Sequence, residues 1–279
     1  MDAATASKSD SRKRKGRSED DDSRVENNQS GIDGGDESDR DLSLEDSLMF
    51  KDTMIALRMM RAQFPKIEKV SLQPFILRSQ LYSSVKDRTQ VDRELESLRR
   101  ERVLRIFKLN TGQDDHAIMF LDDYIAQIDH VIKKFESKEE DDAVFDWFKS
   151  HVIMSKLEPN IGHQELCVLL SAGGKVKDGH ISLLMNAGVL TRQLIDPDMY
   201  WFAIPNFGLI LKGLSQGRKE LLSLLSRRKY KEMMLAALEK KRLRFSPLDM
   251  RFHLRDLIGS GQLKTAQTPS GIVVRVSTD

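Results

Sequence analysis

The sequence predicts an α+β protein: three tandem winged-helix domains, each a helix-turn-helix followed by a β-hairpin, after a disordered N-terminal tail. Three observations carry this expectation. Apolar residues at helical spacing begin only at about Leu42. One leucine pattern then recurs in three places, and a hairpin pattern follows it each time.

Residues 1–42 are Ser, Asp, Glu, Arg and Gly with almost no aliphatic or aromatic side chains. Such a segment cannot bury enough apolar surface to offset chain entropy, so a disordered tail is expected. Within it Arg12, Lys13, Arg14 and Lys15 form a compact basic run of the kind nuclear import receptors read. Leu44, Leu48, Met49, Ile55, Leu57, Met59 and Phe64 then fit one amphipathic helix ending near Pro65. A short helix is expected over Phe75–Tyr82, and a third from Thr89, as its cap, to about Arg100. Val103–Leu109 and His116–Leu121 read as strands around a turn at Asn110–Asp115.

Leu98 is followed six residues later by Leu104, Leu184 by Leu190 and Leu257 by Leu263, with Leu95, Ile181 and Leu254 three residues before each first leucine. Residues three apart share one helix face, and the later leucine enters a strand after a tight turn. Gly188 and Gly261 fall in two of those turns, where a positive φ costs a glycine little. Hairpins follow over Val189–Leu194 with Met199–Ile204, and over Gln262–Ala266 with Ile272–Val276. A helical unit closed by a hairpin is a winged helix, and three copies of roughly 80 residues fit the chain beyond residue 42. The expected units are 43–137, 138–215 and 216–279. The first boundary is set by the charged run Glu136–Asp142, and the second falls inside a long helical stretch.

The longest uncharged apolar-rich stretch, Met199–Leu211, has 13 residues and contains Pro205, short of the roughly 20 a membrane span needs. No basic start leads into an apolar core with a cleavage site, so an intracellular protein without membrane partners is expected. A single cysteine, Cys167, excludes an intrachain disulfide, and the six histidines lack cysteine pairs for a zinc site. No metal or cofactor is expected.

The net charge of +2 hides a gradient. Residues 205–279 carry 15 basic and 6 acidic side chains, while residues 1–50 carry 8 and 14. Clustered cations, not a high average, are what phosphate neutralisation needs. The densest cluster holds Arg227, Arg228, Lys229, Lys231, Lys240, Lys241, Arg242 and Arg244 against only Glu232 and Glu239, with Lys212, Arg218 and Lys219 extending it upstream. Met233, Met234, Leu235 and Leu238 read as the buried side of a helix that these cations bracket. Double-stranded DNA, held through its phosphates, is the expected partner. The third helix of the first unit is nearly neutral and that of the second largely uncharged, so base reading in the major groove is not expected. The same winged helices could instead dock proteins, as a scaffold whose positive surface meets acidic partners.

Leu77-Arg78-Ser79-Gln80-Leu81-Tyr82-Ser83, Asp87-Arg88-Thr89, Asn186-Ala187-Gly188-Val189-Leu190-Thr191, Lys229-Tyr230 and Asp256-Leu257-Ile258-Gly259 together resemble the serine/threonine-protein kinase 19 family, from about Pro74 to the C-terminus. The resemblance implies a nuclear, chromatin-associated winged-helix protein of transcription-coupled nucleotide excision repair that binds nucleic acid, can form a homodimer and works with transcription or repair complex proteins. It maps the family's DNA contacts onto Lys212, Lys241 and Arg242, with Ser226 where a basic residue is expected.

The family name also implies a serine/threonine kinase, but the chain lacks the parts. Gly259-Ser260-Gly261 has no third glycine, and His253-Leu254-Arg255-Asp256-Leu257 matches a catalytic loop only if one leucine is ignored. Asn206-Phe207-Gly208 puts Asn where a metal-binding Asp belongs and precedes the supposed catalytic loop. A non-enzymatic protein with no catalytic residues is expected.

Overall fold

The computed structural model describes residues 52–67, 70–109, 111, 115–133 and 139–277. The tail 1–42 with Arg12, Lys13, Arg14 and Lys15, the start of the first helix and the boundary near 137 lie outside the described residues.

An α+β architecture is observed, built from one element order used three times. The first set is α1 (52–62), β1 (Ile76–Leu77), α2 (Arg78–Ser84), α3 (Arg88–Arg100), β2 (Leu104–Lys108) and β3 (His116–Phe120). After α4 (Leu121–Ile132) the second set follows: α5 (Glu139–Trp147) running into a π-helical turn (Phe148–Ile153), then β4 (Asn160–Gly162), α6 (His163–Ser171), α7 (Asp178–Asn186), β5 (Leu190–Arg192) and β6 (Met199–Phe202). The third is α8 (Gly208–Ser226), β7 (Glu232–Met234), α9 (Leu235–Glu239), α10 (Met250–Gly259), β8 (Leu263–Thr268) and β9 (Gly271–Val276). Each set makes a three-stranded antiparallel sheet with its last strand in the middle: β1-β3-β2, β4-β6-β5 and β7-β9-β8.

The leucine pattern explains why the sets close alike. Leu95, Leu98 and Leu104, Ile181, Leu184 and Leu190, and Leu254, Leu257 and Leu263 are all buried. The turn between helix and strand is a left-handed C-cap in every set. Gly188 has φ 76° and Gly261 φ 82°, and the equivalent residue of the first set, Arg102, has φ 58°. The N–H of Val103 reaches the carbonyl of Leu98 and that of Val189 the carbonyl of Leu184, satisfying helix-end carbonyls that would otherwise lack a donor.

The largest core joins the second set to the α4 side of the first sheet through Phe107, Tyr124, Phe148, Tyr200 and Phe202, while the first and third sets each keep a further cluster of their own. Two seams lock the sets together. Arg105 on β2 is buried with its guanidinium 3.9 Å above the Phe202 ring, donating to the carbonyls of Ile153 and Lys156 at 3.2 and 2.8 Å. Burial lowers its pKa to about 10. At the other seam α2 packs on α10, where Gly259 lies against the backbone of Ser79 with no room for a Cβ. Gln80 and Arg88 donate across it to the carbonyls of Phe252 and Gly259, both at 3.0 Å.

Several expectations change. The segment from Phe75 to Tyr82 begins as a strand, with Ile76 and Leu77 pairing Ile118 and Ala117, and turns helical at Arg78. The α3 cap is Asp87, whose carboxylate accepts from the N–H groups of Thr89 and Gln90. Met233 and Met234 are not helical; they pair with Val274 and Val273 of β9, and the helix starts at Leu235. Sheet pairing outweighs the helix propensity of methionine there. The long helical stretch around residue 216, where the second boundary is expected, is α8 and runs unbroken from Gly208 to Ser226. Among the described residues no helix is long and apolar enough to cross a membrane.

Candidate nucleic-acid interface

The C-terminal cations are carried by α8, the turn after it, and the segment that follows α9. Lys212 and Lys219 are exposed on α8, and Arg227, Arg228, Lys229 and Lys231 are exposed in the turn leading to β7. Lys240, Arg242 and Arg244 are exposed after α9, with Lys241 half-buried among them. None of these ten has an ion-pair partner among the described residues. Lys229 lies 5.3 Å from the centre of the Tyr230 ring.

Two grooves collect most of them. The first, about 880 Å³, lies between the C-terminal half of α8 and the Arg244–Phe245 backbone, and is lined by Lys219, Arg227, Arg228 and Arg244 over Leu224 and Phe245. Its one carboxylate, Glu220, accepts from the backbone N–H of Arg244 at 3.0 Å to each oxygen and from that of Phe245 at 3.2 Å. That charge therefore serves as a clamp on the loop. The second groove, about 570 Å³, is lined by Lys240, Lys241, Arg242 and Arg251 with Lys66 from the first set, against Glu239 and Asp249. Asp249 caps α10 through the N–H of Phe252, and Glu239 stands 3.9 Å from Arg251. Lys212, Lys229 and Lys231 line neither groove.

Arg218 departs from the expectation. It points inward, only 9% exposed, and its guanidinium bridges two carboxylates. Nε and Nη2 donate to Asp256 at 2.6 and 3.0 Å, while Nη1 and Nη2 donate to Asp115 at 2.6 and 3.3 Å. Burial opposes its charge, but the two carboxylates outweigh it and its pKa is raised. Asp115 is likewise held below its usual range, burial being overcome by Arg218 and Thr111. Ser79 Oγ completes the cluster by donating to Asp256 at 2.6 Å. The arginine thus ties the first hairpin, α2 and α10 together, with four of its five N–H donors engaged by the two carboxylates.

The model of the family described as inactive serine-threonine protein kinase 19 matches residues 43–276. The chain belongs to this family. Similar relatives are winged helix repair factor 1 of Homo sapiens, 32% identical over 210 residues covering 74% of this chain and 78% of the relative, and that of Xenopus laevis, 32% identical over 221 residues covering 77% and 80%. The protein of the same name from Dictyostelium discoideum is 27% identical over 276 residues, 86% of this chain and 68% of the relative.

The family description, inactive, agrees with the non-enzymatic reading, and each kinase-like string has another use in this family member. Asp256 is fully buried under Arg218 and Ser79. His253 is fully buried, its Nε2 2.8 Å from Ser246 Oγ. Asn206 takes a left-handed turn, φ 66°, that leads into α8, and Ser260 and Gly261 cap the end of α10. Cys167 is half-buried on α6. Sequence reasoning did not find Lys66 and Arg251. In the sequence each stands among charges of both signs, Glu68 and Lys69 beyond Lys66 and Asp249, Arg255 and Asp256 around Arg251, and folding gathers them with Lys241 and Arg242, Lys66 from the first set and Arg251 from α10 of the third.

Proposed function

We propose that the chain is a nuclear, non-enzymatic repair factor made of three winged helices, gripping duplex DNA phosphates through its third unit, in transcription-coupled repair. The ten exposed or half-exposed cations of α8 and the segments after it, with no ion-pair partner among the described residues, carry this reading. Unpaired cations can release condensed counterions from DNA, which is the sequence-independent part of DNA affinity. The recurring helix, strand, two helices and hairpin support the winged-helix assignment for each unit. The names of the relatives support the repair context.

The binding residues are Lys212, Lys219, Arg227, Arg228, Lys229, Lys231, Lys240, Lys241, Arg242 and Arg244, joined by Lys66 and Arg251; Arg218 is withdrawn as a contact. Lys and Arg dominate the polar lining of the two grooves, with Gln216 the one amide side chain among the lining residues, so the mechanism is positioning on phosphate rather than sequence reading. Charge reversal at Lys241→Glu with Arg242→Glu should weaken duplex binding at least a hundredfold in an anisotropy titration, and unchanged affinity would refute the assignment.

A second role as a protein scaffold is favoured by the second hairpin, whose tip residues Leu194 and Ile195 are 100% and 98% exposed beside Asp196 and Asp198. Acidic neighbours suit a protein partner better than DNA. Loss of a repair-complex partner in Leu194→Ser with Ile195→Ser, at unchanged DNA affinity, is the expected result, and retention would count against it.

A further inference from the structure

We infer that the groove between α8 and the Arg244–Phe245 backbone receives an unpaired base stacked on Phe245, so that single-stranded or locally opened nucleic acid is its ligand. This rests on the nucleic-acid reading above and adds a substrate class to it. Aromatic rings are costly to leave in water, and most in this protein are buried. Phe245 and Tyr230 are not. They are 63% and 70% exposed, and both stand within the cation cluster.

Phe245 is displayed on a fixed backbone. The Glu220 carboxylate holds the N–H groups of residues 244 and 245 to α8, so the ring has little backbone freedom left to lose on binding. Beside it Leu224 extends the apolar surface, and Lys219, Arg227, Arg228 and Arg244 surround both. Four cations face one carboxylate that is already engaged, which matches a phosphodiester chain better than a peptide. An intact duplex keeps its base faces stacked and offers nothing to the ring. A single strand offers both parts: phosphates for the cations and a base face for Phe245.

The test is anisotropy binding of labelled oligo(dT), oligo(U) and a blunt duplex to the full chain, with Phe245→Ala and Phe245→Trp. Phe245→Ala should lose about tenfold on the single strands and nothing on the duplex, from the loss of one stacked base. Phe245→Trp should restore affinity, and oligo(dT) should quench its added indole fluorescence. Oligo(dT) and oligo(U) together report whether the sugar matters.

Equal oligo(dT) affinity for wild type and Phe245→Ala overturns the inference, as does an equal loss on single strand and duplex. The duplex-phosphate reading is judged separately, by Lys241→Glu with Arg242→Glu in the second groove. If that variant loses duplex while Phe245→Ala loses nothing, only the stacking inference falls. If the wild type binds neither ligand, both fall.

Discussion

His253 and Arg218 share one buried corner, and its chemistry is a pH test at the residue scale. Burial, with the Arg218 charge as a second cause, lowers the His253 pKa from 6.5 to about 4. Its Nδ1 has no hydrogen-bond partner among the described residues, so a proton there would be unsatisfied as well as buried. Because the folded-state pKa is depressed, the unfolded chain takes up the proton first. Stability is full above about pH 6.5 and falls as pH drops toward 4, by roughly 3 kcal/mol at most. A His253 ring signal titrating near pH 4 in NMR, with urea midpoints falling between pH 6.5 and 4, is the expected result; a ring titrating near 6.5 would contradict it. Arg218 also marks how far single residues can be read. A sequence gives the sign of a charge, not its direction, so Arg218 and Lys219 look alike until packing sends one to Asp256 and leaves the other at the groove.

At the scale of elements, the three helix-to-strand turns use one backbone shape with different residues. Left-handed φ costs an ordinary residue about 1 kcal/mol and glycine almost nothing. Arg102→Gly should therefore raise stability by about 1 kcal/mol, and Gly188→Ala should lower it by a similar amount, both read from denaturant midpoints. Equal stability of all three proteins would mean that the turns are not strained. The leucine spacing made these turns legible because helix end, turn and strand start are adjacent in the chain. The first strands β1, β4 and β7 were not legible: they are two or three residues long and exist only by pairing with distant β3, β6 and β9. The same cause turned Met233 and Met234 from helix to strand.

For the whole molecule, charge segregation was plain in the sequence, but its geometry was not. Most of the cations divide between two grooves that take successive parts of the stretch from Glu239 to Phe245, and the second is completed by Lys66, which the first set places on the same groove as Lys241. The first unit therefore contributes to the surface that the third was expected to form alone. The central claim is that this surface binds by displacing counterions, and the salt dependence of duplex binding tests it most directly. Log affinity against log salt should fall with a slope of about −5 or steeper for the wild type, and be shallower by about 2 in Lys241→Gln with Arg242→Gln. A flat dependence, or one that the paired substitution leaves unchanged, would contradict it.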